Sequence, residues 1–290
     1  MKAMKFAVPL FVALAYGPSQ GLAQSILGPE LASFAVLGAS DVTSANVSNI
    51  GGNLGSFPTA PTTAATNFNM LFGSFQPGTQ GTAQTQLDLA LAALPVFGVG
   101  TPILGGSLDA FQLTQPGFVI APGTYSVPFL ASGNITGNLV LDGGGSNTAV
   151  WTFLFESSLI TSTVSNVSVT DVGDGANVGV YWKVGSSATL NGPTFEGNVL
   201  AVASITTDGN LTMGCGRLLA ANGNVTLDGV GSNIGLGCTG FASSGGLDQG
   251  NPGGIPSAIP EPEIYAMMAV GLGLLGWVGR RKQLKEAAAA

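Results

Sequence analysis

The chain of 290 residues contains no histidine and only two cysteines, Cys215 and Cys238. A metal site with soft ligands would need more of them than this chain supplies. We therefore expect no metal ion and no other cofactor. In an oxidising compartment an even pair of cysteines is more often bridged than free, so we expect a disulfide between Cys215 and Cys238.

Positive charge is nearly absent from the middle of the chain. Of 8 Lys and Arg residues, all but Lys183 and Arg217 lie close to the two ends, whereas 12 of the 15 acidic residues do not. The middle therefore carries a charge of about −10. A surface with two cations cannot neutralise a run of phosphates, which excludes nucleic acid as a partner. Anionic lipid headgroups are excluded for the same reason.

Residues 1–23 have the pattern of a secretory signal peptide. Lys2 and Lys5 precede an apolar run over residues 6–15, and Gly21-Leu-Ala23 supplies the small residues of a cleavage site. The apolar run is shorter than the roughly 20 residues that a membrane-spanning helix needs. We expect the chain to be exported and cleaved after Ala23.

Residues 260–290 resemble a bacterial sorting signal. The motif Pro260-Glu261-Pro262 is followed by an apolar stretch over residues 264–278 and then by Arg280 and Arg281. This order resembles the PEP-CTERM tail that an exosortase recognises in Gram-negative bacteria. The resemblance implies an exosortase partner, a transient membrane anchor formed by the tail and display at the cell surface. The basic residues would hold the end of the tail in the cytoplasm. A plain C-terminal anchor is the alternative.

Between the ends, the composition favours β-strands. Gly, Ser, Thr, Asn and Val dominate residues 24–240, whereas Lys, Glu and Arg are scarce. This is typical of one domain with many short strands and tight turns. Residues 241–259 are rich in Gly, Ser and Pro and are predicted to form a flexible linker to the tail.

One segment has a helical pattern instead. Between residues 82 and 94, Leu87, Ala90, Leu91 and Leu94 recur at helical spacing. This spacing predicts a single amphipathic helix whose apolar face packs on the rest of the domain, and Pro95 would end it.

The last third of this domain contains an internal repeat. Three similar segments begin at Gly179, Gly197 and Gly216, so the period is 18 to 19 residues. Each segment reads as a strand, a turn and a second strand, and such a unit cannot bury its apolar side alone. Stacked units share one continuous core, so the repeat predicts a β-solenoid.

Each repeat contains a triplet with an apolar residue between two polar ones. Because side chains alternate along a strand, the apolar residue should point into the core and the polar pair outward. Stacking would then form two outward rows, one of Ser or Asn and one of Thr, with coils about 4.7 to 4.9 Å apart. The segment Asn134-Ile-Thr136 has the same pattern, whereas the coil before the repeat places Ser158 and Ile160 in the two rows. The triplets are Ser187-Ala188-Thr189, Ser204-Ile205-Thr206 and Asn224-Val225-Thr226.

Several separated motifs together resemble the ice-binding-like domain of secreted microbial antifreeze proteins. The resemblance covers nearly all of residues 26–240. It implies an irregular right-handed β-helix with one long α-helix packed alongside, an ice-binding surface on one flat face, and no catalytic residues. The matching segments are Phe34-Ala-Val-Leu-Gly-Ala-Ser40, Gly52-Asn-Leu-Gly55, Pro122-Gly-Thr-Tyr125, and residues 181–189 and 197–227.

Three functions are compatible with these patterns. A rigid uncharged array of hydroxyl and methyl groups can hold ordered water that merges with an ice crystal surface, which makes ice the first candidate ligand. A non-catalytic adhesive or structural protein that binds an extracellular polymer is the alternative. A polysaccharide lyase is disfavoured, because Lys183 and Arg217 are its only candidate basic residues and each lies inside a repeat. We expect no enzyme activity.

Overall fold

The computed structural model describes residues 26–57, 67–77, 81–129, 131–173, 178–208 and 210–237. The predicted signal peptide, linker and sorting tail lie outside these ranges, including Pro260, Glu261, Pro262, Arg280 and Arg281. No helix in the described part of the chain is long and apolar enough to cross a membrane.

The first of three sheets, sheet A, contains nine parallel strands. Four neighbouring strands in the middle of this sheet are buried along their whole length, which explains their nearly continuous apolar sequences. In spatial order the nine strands are β6 (Phe75–Pro77), β4 (Asn53–Ser56), β1 (Phe34–Gly38), β19 (Gly216–Ala220), β16 (Gly197–Ala201), β14 (Gly179–Val184), β11 (Val150–Phe155), β8 (Gly123–Val127) and β7 (Thr101–Pro102).

The second sheet, sheet B, contains six parallel strands of three residues each. In spatial order they are β2 (Val42–Ser44), β20 (Val225–Leu227), β17 (Ile205–Thr207), β15 (Ala188–Leu190), β12 (Leu159–Thr161) and β9 (Gly133–Ile135).

The third sheet, sheet C, consists of two groups of parallel strands that are connected through Thr194. Thr194 forms isolated bridges to Asn166 on one side and Thr212 on the other. In spatial order the sheet contains β10 (Asn138–Asp142), β13 (Asn166–Thr170), Thr194, β18 (Thr212–Met213), β21 (Asn233–Ile234), β3 (Ser48–Gly51) and β5 (Phe68–Phe72).

The chain visits sheets A, B and C in turn over β1–β3 and again from β8 to β21, which confirms the predicted β-helix. The predicted repeat is visible as strand pairing, since Gly197 lies opposite Gly216 and Tyr181 opposite Asn198. Aromatic rings at equivalent core positions of neighbouring coils stack, with centroids 4.2 Å apart for Phe153 and Trp182. Neighbouring coils thus share one continuous core, as a solenoid requires.

The coils are not stacked in chain order. The first coil comprises residues 34–51, and the last coil comprises residues 216–234. The first coil lies between the last coil and the second coil, which begins with β4 and contains β5. In sheet A, β1 pairs with β4 on one side and with β19 on the other. The remaining coils follow from the last coil towards β7 at the far end of the sheet.

The predicted long helix is present as α2 (Gly81–Ala93) and packs on the outer side of sheet A. Its buried residues include Leu87 and Ala90, and Leu94 directly after it is also buried. Together with Leu200 and Leu219 of sheet A, they form an apolar cluster that is separate from the main core. The one long helix is therefore confirmed, and two short helices, α1 (Pro29–Ala32) and α3 (Leu108–Gln112), are present besides it. Both are too short to produce a helical periodicity in the sequence.

Candidate functional site

Sheet B aligns one outward side chain from each of its six strands. The pairing is parallel and in register throughout, so these residues form a single column across the sheet. In spatial order the column contains Thr43, Thr226, Thr206, Thr189, Ile160 and Asn134.

The column projects from the core because burial alternates along each strand. Thr189, Thr206 and Thr226 are partly exposed, and both neighbours of each within its strand are buried. Ala188, Ile205 and Val225 belong to the main hydrophobic core, and each has 1% or less of its surface exposed. The structure therefore brings the three threonines together over an apolar layer.

The second row contains Ser187, Ser204 and Asn224, one residue before each of these strands. Their carbonyl groups continue the ladder of sheet B, for example where the N–H of Ile205 donates to the carbonyl of Asn224 at 3.0 Å. All three are partly buried. The amide of Asn224 donates to the hydroxyl of Thr226 at 2.7 Å, so the two rows are linked within that coil.

At the far end of sheet B the column loses its hydroxyl groups. Ile160 lies opposite Thr189, as expected from the sequence, and its side chain is 43% exposed. Asn134 lies opposite Ile160 and therefore occupies the threonine column. In the triplet Asn134-Ile135-Thr136, Ile135 is buried and the two polar residues are not, as expected. The triplet is shifted by two residues relative to the others, so that Asn134 and not Thr136 lies in the column. Thr136 instead donates to Asp109 at 2.7 Å.

Three aspartates lie close to the two rows. Asp41 precedes β2 as Asn224 precedes β20, and its carbonyl accepts the N–H of Val225 at 3.0 Å, so it extends the second row beyond Asn224. Its carboxylate accepts the N–H of Val42 at 2.8 Å. Asp208 and Asp228 directly follow β17 and β20. The two rows of the candidate face are therefore themselves uncharged between Asn224 and Ser187.

Lys183 and Arg217 both bind main-chain carbonyls away from sheet B. Lys183 Nζ donates to Pro95 O at 3.1 Å, just beyond α2, and burial lowers the pKa of Lys183. Arg217 is 1% exposed, and its Nη2 donates to Ala32 O at 2.8 Å. These two side chains fasten α2 and α1 to sheet A, which gives them a role in packing.

Sheet C presents a second column, which the sequence did not reveal. Its outward side chains bond to each other from coil to coil, for example from Asn166 Nδ2 to Asn138 Oδ1 at 2.9 Å and from Thr194 Oγ1 to Asn166 Oδ1 at 2.8 Å. We call this column the asparagine ladder. In spatial order its members are Asn138, Asn166, Thr194, Thr212, Asn233, Asn49 and Asn69.

The last residues with a predicted role are the two cysteines and any candidate metal ligands. Cys215 is buried beside β19, and its predicted partner Cys238 lies outside the described residues, so the disulfide stays a prediction. Among the residues that the structure describes, no group of three or more His, Cys, Asp or Glu side chains could hold a metal ion.

Comparison with known proteins gave two family matches and several relatives. The family model described as ice-binding-like matches residues 36–233, and that of the PEP-CTERM protein-sorting motif matches residues 258–282. An ice-binding protein from Nostoc sp. (strain HG1) is 37% identical over 207 residues, which are 70% of this chain and 72% of the relative.

Two solved structures show the same architecture. The ice-binding protein of the Antarctic ascomycete Antarctomyces psychrotrophicus is 30% identical, with a TM-score of 0.57 over 72% of this chain and 97% of the other. An ice-binding protein from an Antarctic biological consortium is 26% identical, with a TM-score of 0.55 over 72% of this chain and 89% of the other.

Proposed function

The chain belongs to the ice-binding-like family, and on this premise we propose that it binds ice through sheet B, without catalysis. The binding face consists of Thr189, Thr206 and Thr226 with the row formed by Ser187, Ser204 and Asn224. The observation that carries the proposal is the register of the three threonines on neighbouring coils.

The array has the properties that an ice-binding surface needs. Each threonine offers one hydroxyl and one methyl group, and parallel strands repeat these groups about every 4.7 to 4.9 Å. The buried residues beneath them hold the strands in place, so water can be ordered by a rigid template. The hydroxyl groups of Thr189 and Thr206 form no hydrogen bond with another described residue and remain available for that water.

The asparagine ladder explains why sheet B is favoured over sheet C. In the ladder, side-chain amides form hydrogen bonds with each other, for example from Asn166 Nδ2 to Asn138 Oδ1 at 2.9 Å, and these groups are then less available to water. Sheet C also lacks the paired hydroxyl and methyl groups along most of its length. The threonine column combines methyl groups with the hydroxyl groups of Thr189 and Thr206, which have no partner among the described residues, whereas the ladder offers mainly amides.

A bulky side chain at Thr206 tests the proposal. Thr206 lies between Thr189 and Thr226, so Thr206→Tyr should lift the face from ice and abolish most of the thermal hysteresis. Because Thr206 is partly exposed, the free energy of unfolding should change by no more than about 0.5 kcal/mol. Thr212→Tyr is the matched control, since Thr212 is an exposed threonine on sheet C.

A second control separates loss of the face from loss of the fold. Ile205 is fully buried beneath Thr206, and Ile205→Ala should cost about 2 to 5 kcal/mol by opening a cavity. Its activity should be lost only as the fold is lost. Full thermal hysteresis in Thr206→Tyr at unchanged stability would show that sheet B is not the binding face.

The sorting motif supports a role at the cell surface. Its match at residues 258–282 favours export and processing by an exosortase of a Gram-negative bacterium, with a transient membrane anchor. Display on a surface also suits the second candidate function, a non-catalytic adhesive or structural protein that binds an extracellular polymer. The two functions are compatible on one chain.

A further inference from the structure

We propose that the ice-binding face is assembled from both ends of the domain, with Thr43 of the first coil as its fourth threonine and Arg217 as the residue that positions it. This inference rests on the proposed function. It adds a residue that lies outside the three-triplet repeat and assigns a role to the most deeply buried cation of the described chain.

Thr43 continues the threonine column in register. It lies opposite Thr226, and its hydroxyl donates to Thr226 Oγ1 at 3.3 Å. Val42 and Ser44 on either side of it are buried, so its side chain projects from the same face as the other threonines. The column therefore runs through four neighbouring coils from Thr43 to Thr189.

The position of Thr43 depends on docking between distant parts of the chain. Thr43 and Thr226 are 183 residues apart in sequence. In sheet A, Val36 and Leu37 pair with Leu218 and Leu219. The first and the last coil are thus neighbours in space although all the other coils separate them in sequence. The four-threonine column exists only while the first coil is docked on the last.

At this junction Arg217 of β19 binds both the residue that ends α1, just before β1, and the neighbouring strand β16. Its Nε and Nη2 donate to Ala32 O at 3.1 and 2.8 Å, where the chain enters β1. Its Nη1 donates to Asn198 Oδ1 of β16 at 2.7 Å. The planar guanidinium can serve both partners at once, whereas a lysine ammonium is a single point charge. Arg217 therefore holds the start of the first coil against the body of the solenoid.

The first experiment compares three full-length variants by thermal hysteresis. Thr43→Tyr should lose most of the activity, as Thr206→Tyr does. Val47→Tyr is the control in the same coil, because Val47 is 56% exposed and lies after β2; it should keep the wild-type value. If Thr206→Tyr is inactive and Thr43→Tyr is fully active, the composite face is wrong while the proposed function stands. If both keep full activity, sheet B is not the binding face, and the assignment of Thr43 to that face fails with it. A wild-type protein without thermal hysteresis would contradict the proposed function itself.

A double variant tests the role of Arg217. Arg217→Lys should lower thermal hysteresis at a temperature where circular dichroism still shows a folded protein, and hydrogen exchange should accelerate at residues 42–44 more than at residues 188–190. The double variant Arg217→Lys, Thr43→Tyr should have the same residual activity as Thr43→Tyr alone, because Arg217 acts on the face through Thr43. A double variant with clearly less activity than Thr43→Tyr alone, or exchange that accelerates equally in both segments, would overturn the positioning role.

Discussion

Asn49 and Asn233 are 184 residues apart in sequence, yet Asn49 Nδ2 donates to Asn233 Oδ1 at 2.8 Å. Asn69 Nδ2 in turn donates to Asn49 Oδ1 at 2.8 Å, so the ladder passes through the first coil. An asparagine side chain has two N–H donors and one carbonyl acceptor. Asn49 therefore uses one donor and its acceptor along the ladder. These bonds favour a single register between the first coil and the last coil, which are far apart in sequence.

We predict that Asn49 and Asn233 stabilise the fold cooperatively. Asn49→Ala and Asn233→Ala should each lower the free energy of unfolding by about 1 kcal/mol, because each removes hydrogen bonds to its neighbours. The double variant should lose less than the sum of the two, with a coupling energy of at least about 0.5 kcal/mol. Urea denaturation of the four proteins measures both quantities.

The ladder should not contribute to ice binding. Thermal hysteresis of the two Asn→Ala variants, measured well below their melting temperatures, should therefore equal that of the wild type. Additive losses of stability would show that the two amides do not act as a pair.

The second prediction concerns the pH dependence of stability. Burial raises the pKa of Glu196 from its ordinary value of 4.5 to about 7, although a hydrogen bond from the backbone of Val169 acts in the opposite direction. Glu196 Oε2 is buried and has no hydrogen-bond partner within the described residues. The folded state thus binds the Glu196 proton more tightly than the unfolded state does.

The stability that Glu196 contributes should be fully present below about pH 4.5 and should be lost as the pH rises through about 7. The loss should amount to about 3 kcal/mol at most. Glu196→Gln should remove this pH dependence, since a neutral amide replaces the carboxyl. Unfolding curves of both proteins from pH 4 to pH 8 test this, and parallel pH profiles for the two would contradict it.

The third prediction concerns the two cysteines. A disulfide between Cys215 and Cys238 would close a loop of roughly 24 residues and should add roughly 3 kcal/mol on the chain-entropy estimate. Cys215→Ser and Cys238→Ser should therefore destabilise the exported protein equally, and reduction of the wild type should have the same effect. Two free thiols in exported material, found by thiol titration under denaturing conditions, would rule out the bridge.

The sequence predicted those features that depend on neighbouring residues. The alternation within Ser204-Ile205-Thr206 predicted that Ile205 points into the core and Thr206 points outward. Successive side chains of a strand point to opposite faces whichever strands pair with it. The spacing of Leu87, Ala90 and Leu94 predicted α2 for the same reason, since helical periodicity is local. The repeat period predicted the stacking of three coils.

Features that depend on distant pairing were not predicted. Thr43 follows Asp41 and Val42, which is the same polar, apolar, threonine order as in the repeat, but no constant period connects it to Thr226. The asparagine ladder also lacks a period, since its members are separated by intervals such as 20, 28 and 184 residues. Turns of unequal length hide such a column in the sequence, and only the register of the strands reveals it.

The position of the first coil has a consequence for how the chain is made. Ribosomes synthesise β1 long before β19, so one hydrogen-bonding edge of β1 has no partner until residue 220 has been completed. An unpaired strand edge is a template for pairing with other chains. The nascent protein is therefore most exposed to aggregation during the synthesis of its middle coils, and this risk ends only when its last coil reaches its first.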